Sequence, residues 1–455
     1  MLVCGGGGAP VSAKSPAKAL LSFSFLAATN AIPVDSIATL SGSSVQAFLP
    51  PGTDVTALRP SFTISDKASA SVGGSTQTSG VSAADYSHPV TFTVTAEDGS
   101  TQPYSVTVTT DIAAFDDAVL AFMTKYGVPG ASIAVTHGEK LVYLKAYGEQ
   151  DDSQQTTTGS LFRLASVSKP ITSIAIFRLI EQGKLHLSDT VFGASGILGT
   201  TYGTQPYGPH ITEITVDELL HHTSGGWPND ASDPMFTNPA MSAAQLITWT
   251  LDNRPLGTAP GTAYAYSNFG YCVLGRVIEK VTGTDYESAV KSLVLQPLGI
   301  TDMAIGGNTL GDRLPGEVKY FGQDGEDPYA FNLHRMDSHG GWIATARDLA
   351  MLLVHVDGFA SKPDLLGSQS IATMTTPSSV NPNYACGWSV NSASNWWHIG
   401  SLPGTETEII RAQIGWNWVV LVNSRSTQTG FDTDLDQLFW TAHAQLGAFP
   451  DYDLF

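Results

Sequence analysis

The chain has 455 residues, 42% hydrophobic and only 14% charged, and its 22 basic against 41 acidic side chains leave a net charge of −19. That length predicts two or three domains rather than one core. The acidic balance argues against nucleic acid or an anionic membrane as partner, since both need Lys and Arg to neutralise phosphates, and no apolar run approaches the ~20 residues of a membrane span.

Residues 1–18 are rich in Gly, Ala, Ser, Pro and Lys and read as a flexible linker. Within them Cys4 precedes Gly5-Gly6-Gly7-Gly8, which resembles a bacterial lipoprotein N-terminus. Only Met1-Leu2-Val3 comes before it, which reads more readily as a truncated start than as a complete signal. The native protein is expected outside the cytoplasm, periplasmic or secreted, with lipid anchoring through Cys4 left open. Cys272 and Cys386 sit in apolar patterns and read as small buried hydrophobes. No disulfide framework is expected, and no Cys/His cluster has zinc spacing.

Residues 19–110 turn Thr-, Ser- and Val-rich. Alternation over Pro89–Thr95 and Tyr104–Val108 around Asp98-Gly99 predicts a hairpin, with earlier short strands at Leu21–Phe25 and Ser61–Ile64. A small all-β sandwich follows, similar to the immunoglobulin- or cadherin-like modules of secreted bacterial enzymes, expected to act in spacing or in docking to another surface, with carbohydrate binding as the lesser alternative. From 112 to 455 the pattern is mixed α/β. Ile112–Tyr126 has helical spacing, Gly130–Val135 and Leu141–Leu144 form a hairpin, and Ile171–Glu181 is an apolar helix. Trp416–Val422 reads as a buried strand, and Asp432–Leu446 as the last helix.

S-x-x-K occurs three times, at Ser15–Lys18, Ser166–Lys169 and Ser288–Lys291. The first lies in the linker, and the third in an amphipathic helix over Tyr286–Leu295 with Lys291 toward solvent. Only Ser166 follows an apolar strand-like approach, Leu161–Ala165, and opens a buried helix. There its hydroxyl meets the positive end of the helix dipole, with Lys169 on the same face. A lysine serves as base only when desolvation leaves its amine partly neutral. A loop tyrosine ahead of a helix, Tyr266 in Tyr266-Ser267-Asn268, presents a phenol to a cleft, and Asn268 can orient Lys169 or a substrate carbonyl.

Together with His398-Ile399-Gly400, these motifs resemble the serine β-lactamase and penicillin-binding-protein superfamily. His221-His222-Thr223-Ser224-Gly225, Gln296–Ile300 and Gly340-Gly341-Trp342 leading to Asp348-Leu349 resemble further stretches of it, so the likeness covers 112–455. The resemblance implies a β-lactamase-like α/β (α+β) domain, an antiparallel sheet flanked by helices with an all-helical region. It also implies Ser166 as nucleophile, Lys169 and Tyr266 as proton carriers, and an oxyanion hole from the backbone N–H groups of Ser166 and Ser401. His398 stands where β-lactamases carry the lysine of Lys-Thr-Gly, and Gly400 is expected to let that strand run tight against the substrate.

A neutral His398 weakens the anchoring of a substrate carboxylate. Trp227, Trp342, Trp396 and Trp397 flank the motifs; at least half of them are expected to pack the core and the rest to wall an uncharged pocket, with Gly199–Gly208 as a lid. The leading expectation is a carboxylesterase on small acyl or aryl esters, nearest the family VIII type, with no metal or cofactor. The alternatives are a D-alanyl-D-alanine carboxypeptidase, a β-lactamase or an amide hydrolase, and last a non-catalytic ligand-binding protein.

Overall fold

The computed structural model describes residues 13–110, 112–446 and 449–455, and the chain divides into two compact units. Cys4 and most of the N-terminal linker lie outside the described residues.

The first unit is a two-sheet sandwich. Strands Ser36–Ile37, Leu20–Phe25 and Pro60–Ile64 form one sheet, and six strands form the other. The hairpin is present as Val90–Thr95 against Thr101–Thr109, with Phe92 opposite Tyr104 and Gly99 at φ +90° in the turn. Ser44–Phe48 pairs parallel to Thr101–Thr109. Inward alternation from both sheets builds one core, in which Phe23 and Phe92 cross edge to face at 5.5 Å. The linker expectation fails at its end. Ser15 and Lys18 are tied to the hairpin turn, the Ser15 N–H donating to Glu97 and the Lys18 amine to Ser100 Oγ at 2.9 Å.

The second unit carries helix α1 (Ala113–Tyr126), strands β1 (Gly130–His137) and β2 (Lys140–Asp151), and helix α2 (Ser168–Glu181). Helix α3 (Asn268–Thr282) and strands β3 (Trp396–Leu402), β4 (Thr405–Ala412) and β5 (Trp416–Val422) follow, then helix α4 (Phe431–His443). The sheet is antiparallel, in the order β2-β1-β5-β4-β3 with a two-residue strand at each edge.

All of β4 and β5 is buried, the mark of a sheet covered on both faces. Side-chain alternation along β4 separates those faces. Thr405 and Thr407 donate to the Arg163 carbonyl just before the Ser166 turn, while Glu406 and Glu408 face the acidic residues of α4. Trp418 stacks on Phe439 of α4 at 4.2 Å, and Phe115 of α1 meets the same ring at 5.9 Å. Leu120, an apolar residue of α1, is 49% exposed. The expected helix over Tyr286–Leu295 becomes an α-turn to Val290 and a π-turn after it, with Lys291 paired to Glu287.

Candidate active site

Ser166 lies in a 3₁₀ turn, Ala165–Val167, that runs into α2. Ala165 is held at φ +47°, a left-handed value that costs an alanine energy and persists only where the surroundings impose it. Those surroundings are β3 and β4. A Cβ on Gly400 would stand 2.0 Å from the Leu164 carbonyl oxygen and 2.9 Å from the Ser166 nitrogen, so only glycine lets β3 press against this turn. The glycine therefore accommodates the backbone of the Ser166 turn, where a close approach to substrate was expected.

Lys169 points inward from the first turn of α2 and is fully buried. Its Nζ lies 3.0 Å from Ser166 Oγ, 2.8 Å from Asn268 Oδ1 and 3.1 Å from the His339 carbonyl oxygen. A neutral amine has two N–H donors and one lone pair. With the donors given to Asn268 and His339, the lone pair is left for the Ser166 hydroxyl. Desolvation holds the Lys169 pKa well below its usual value, against an opposing pull from Asp233. Asp233 is reached through Asn268, whose Nδ2 donates to Asp233 Oδ2 at 2.9 Å and to Asn229 Oδ1 at 3.1 Å. The Asp233 carboxyl is itself raised, chiefly by burial.

Ser267 caps α3 by accepting from the Gly270 N–H, which leaves Tyr266 just outside the helix, half-buried, its ring 4.7 Å under the Lys169 amine. Burial pushes the Tyr266 phenol up, while its hydrogen bond to Ser166 opposes that. The phenol is thus a proton donor at neutral pH.

Behind it the tautomers are determined. His222 Nδ1 accepts from the Ser267 N–H, so its Nε2–H donates to Tyr384 Oη at 3.2 Å, and Tyr384 donates on to His398 Nε2 at 3.0 Å. His398 closes the chain by donating from Nδ1 to the Ile399 carbonyl at 2.7 Å. Burial, then repulsion from Lys169 whenever that amine is protonated, lowers its pKa to about 3, so His398 is a neutral, committed ring.

A cavity of about 380 Å³ opens on Ser166 and also touches Asn268, His339, Ser401 and Arg425, with Phe236, Phe331 and Met336 as its apolar wall. Three expectations are corrected here. Among the described residues the tryptophans do not line this cavity. Trp342 is fully buried with its indole N–H on Tyr286, Trp227 opens on a separate hollow, Trp396 packs on Arg411, and Trp397 is half-buried on β3. The cavity is not uncharged, because Arg425 reaches it. The 199–208 segment lines another depression with Leu251 and Asp252 and does not line the Ser166 cavity.

Sequence reasoning missed Asp233, His339, Phe236, Phe331 and Arg425. One outside trio, Asp217, His221 and Cys386, brings a potential metal-ligating atom from each residue within 4.8 Å. Its imidazole already bonds the Asp217 carboxylate and the Thr376 carbonyl.

The family model described as Beta-lactamase matches residues 115–439, and the model described as SGBP, N-terminal matches residues 21–108. A putative D-alanyl-D-alanine carboxypeptidase of Escherichia coli is 27% identical over 336 residues, 65% of this chain and 75% of the relative. Esterase EstB of Burkholderia gladioli is 32% identical over 210 residues, 42% of this chain and 51% of the relative. Among solved structures, D-amino acid amidase from Ochrobactrum anthropi SV3 superposes with a TM-score of 0.60 at 21% identity, over 73% of this chain and 98% of that one.

Proposed function

Because the chain belongs to the Beta-lactamase family and is a serine hydrolase of that fold, we propose that it is a carboxylesterase acting on small acyl or aryl esters through an acyl-enzyme. The observation that carries the mechanism is the buried Lys169 amine, whose one uncommitted position faces Ser166 Oγ at 3.0 Å. In the first half-reaction Ser166 Oγ attacks the ester carbonyl carbon as its proton passes to Lys169 Nζ. Backbone N–H groups of Ser166 and Ser401 hold the oxyanion, donors of a kind worth about 3–4 kcal/mol each in the transition state. Tyr266 protonates the departing alkoxide or phenoxide and is reprotonated by Lys169, which returns the pair to its starting state. Water then attacks the acyl-enzyme, giving its proton to the same Lys169–Tyr266 pair, and Ser166 regains its hydroxyl as the acid leaves.

Two features support an ester over a substrate held by its carboxylate. His398 carries no charge where a lysine would offer one, and the cavity wall is largely Phe236, Phe331 and Met336. Arg425 favours the second reading, a peptidase like the carboxypeptidase relative, because a guanidinium can anchor a terminal carboxylate. Hydrolysis of 4-nitrophenyl acetate and butyrate beside nitrocefin, for the wild type and Ser166→Ala, separates the two. Ester turnover lost in the variant with nitrocefin barely touched supports the esterase, and nitrocefin turnover or a stable penicillin adduct with slow esters refutes it.

An extracytoplasmic location belongs to the same proposal, supported by the Cys4-Gly5-Gly6-Gly7-Gly8 sequence. Fractionation of the producing cell tests it, and enzyme confined to the cytoplasm refutes it.

A further inference from the structure

Arg425 is the one permanently charged side chain lining the Ser166 cavity among the described residues, and it does not stand alone. Its Nε donates to Glu326 Oε2 at 3.0 Å and its Nη2 donates to Glu326 Oε1, the side-on fork that fits a guanidinium to a carboxylate. Its Nη1 donates to Ser401 Oγ at 3.2 Å, which ties the pair to the residue whose backbone N–H is assigned to the oxyanion hole. Both side chains are about a quarter exposed, 26% and 24%, and of the two Arg425 is the one that lines the cavity.

We propose that Glu326 is a specificity-determining residue, which neutralises Arg425 and so turns the Ser166 cavity from an anion site into one for uncharged esters. This rests on the esterase reading for its substrate class. A substrate carboxylate reaching Arg425 must displace an internal one, and Glu326, held on the same chain, competes at the high effective concentration of an intramolecular partner. It also meets the negative charge of Glu326 at close range, which disfavours a like-charged ligand. Nothing comparable opposes a neutral ester, whose apolar part packs on the Phe236 and Phe331 side. Glu326 acts through Arg425 and touches no reacting atom.

The test compares 4-acetoxybenzoate with 4-acetoxyacetophenone, which carries a methyl ketone in place of the carboxylate, on the full chain. The readout is the ratio of kcat/KM for the acidic ester over the neutral one. In Glu326→Gln and Glu326→Ala this ratio is expected to rise about tenfold, while Glu326→Asp, which keeps the charge, stays near wild type. A ratio unchanged within about twofold in both charge-removing variants overturns the proposal. Calorimetric binding of 4-hydroxybenzoate against 4-hydroxyacetophenone gives a reading that needs no turnover. If the wild type hydrolyses neither ester but Glu326→Gln still binds the carboxylate about tenfold tighter, the esterase reading falls and the neutralising role of Glu326 stands. Equal carboxylate binding in wild type and Glu326→Gln overturns that role.

Discussion

Lys169 is a cationic residue type enclosed among apolar side chains, with three polar partners and no solvent. Replacing it with methionine, which keeps the stem and removes the amine, is expected to lower kcat for ester hydrolysis by about 10²–10⁴ while the fold persists. A loss under about tenfold contradicts a base role. The sign of the pH dependence follows from the same burial. The base works when neutral, and its pKa is held well below 10.5, so kcat/KM should climb with pH through that lowered value and level off on its alkaline side. His398, lowered to about 3, should add no inflection between pH 5 and 9, and a limb there that vanishes in His398→Asn contradicts its neutrality.

Ser166, Lys169, Tyr266, Asn268 and Gly400 were legible because their spacing in the chain is short or their motif context distinctive. Asp233, His339 and Arg425 were not. Each enters the site from a loop, and its role exists only through a hydrogen bond or a cavity wall that no local pattern encodes.

β4 shows what an element can and cannot announce. Only its neighbour, the Trp416–Val422 run, reads as a buried strand in the sequence; β4 itself does not, and the direction in which Glu406 and Glu408 point follows from register, which a sequence rich in both Thr and Glu leaves open. Both carboxyls face α4. Burial raises Glu406 to about 8 despite its hydrogen bond to Ser401, and raises Glu408 well above 4.5, with neither Glu408 oxygen hydrogen-bonded.

For such groups the folded state holds its proton more tightly than the unfolded one, so their contribution to stability is intact below about pH 4.5 and is lost as pH rises through the folded pKa. Thermal melts should therefore show Tm falling from pH 5 to 8, and Glu408→Gln should flatten that fall. A decline of the same size in the variant contradicts the assignment. The strand against the nucleophile turn gives a sharper test. Gly400→Ala places a Cβ 2.0 Å from the Leu164 carbonyl, and the forced shift of β3 should cost about 100-fold in ester turnover, an effect of the size that misplacing a reacting group produces. Activity near wild type would show that the contact is not needed.

The whole molecule divides as its composition divides, a Thr- and Ser-rich sandwich and a mixed α/β hydrolase unit, because each part buries its own aromatic core. That division was legible since alternation and helical periodicity change abruptly near residue 112. The binding of Ser15 and Lys18 to the sandwich was not, because low-complexity composition says nothing about a hydrogen bond to a turn 82 residues away. Phe92→Ala, which empties a fully buried aromatic site, should destabilise the sandwich by about 3–5 kcal/mol. The same variant should retain ester hydrolysis. Loss of turnover in a protein whose second unit still melts normally would mean that the units depend on each other.

The proposed mechanism turns on one covalent bond, an acyl link to Ser166, and intact-protein mass spectrometry with peptide mapping after fluorophosphonate treatment reads the reactivity of that residue directly. A single adduct on Ser166, absent in Ser166→Ala together with ester turnover, is the predicted result. An adduct on another residue, or turnover that survives Ser166→Ala, contradicts it.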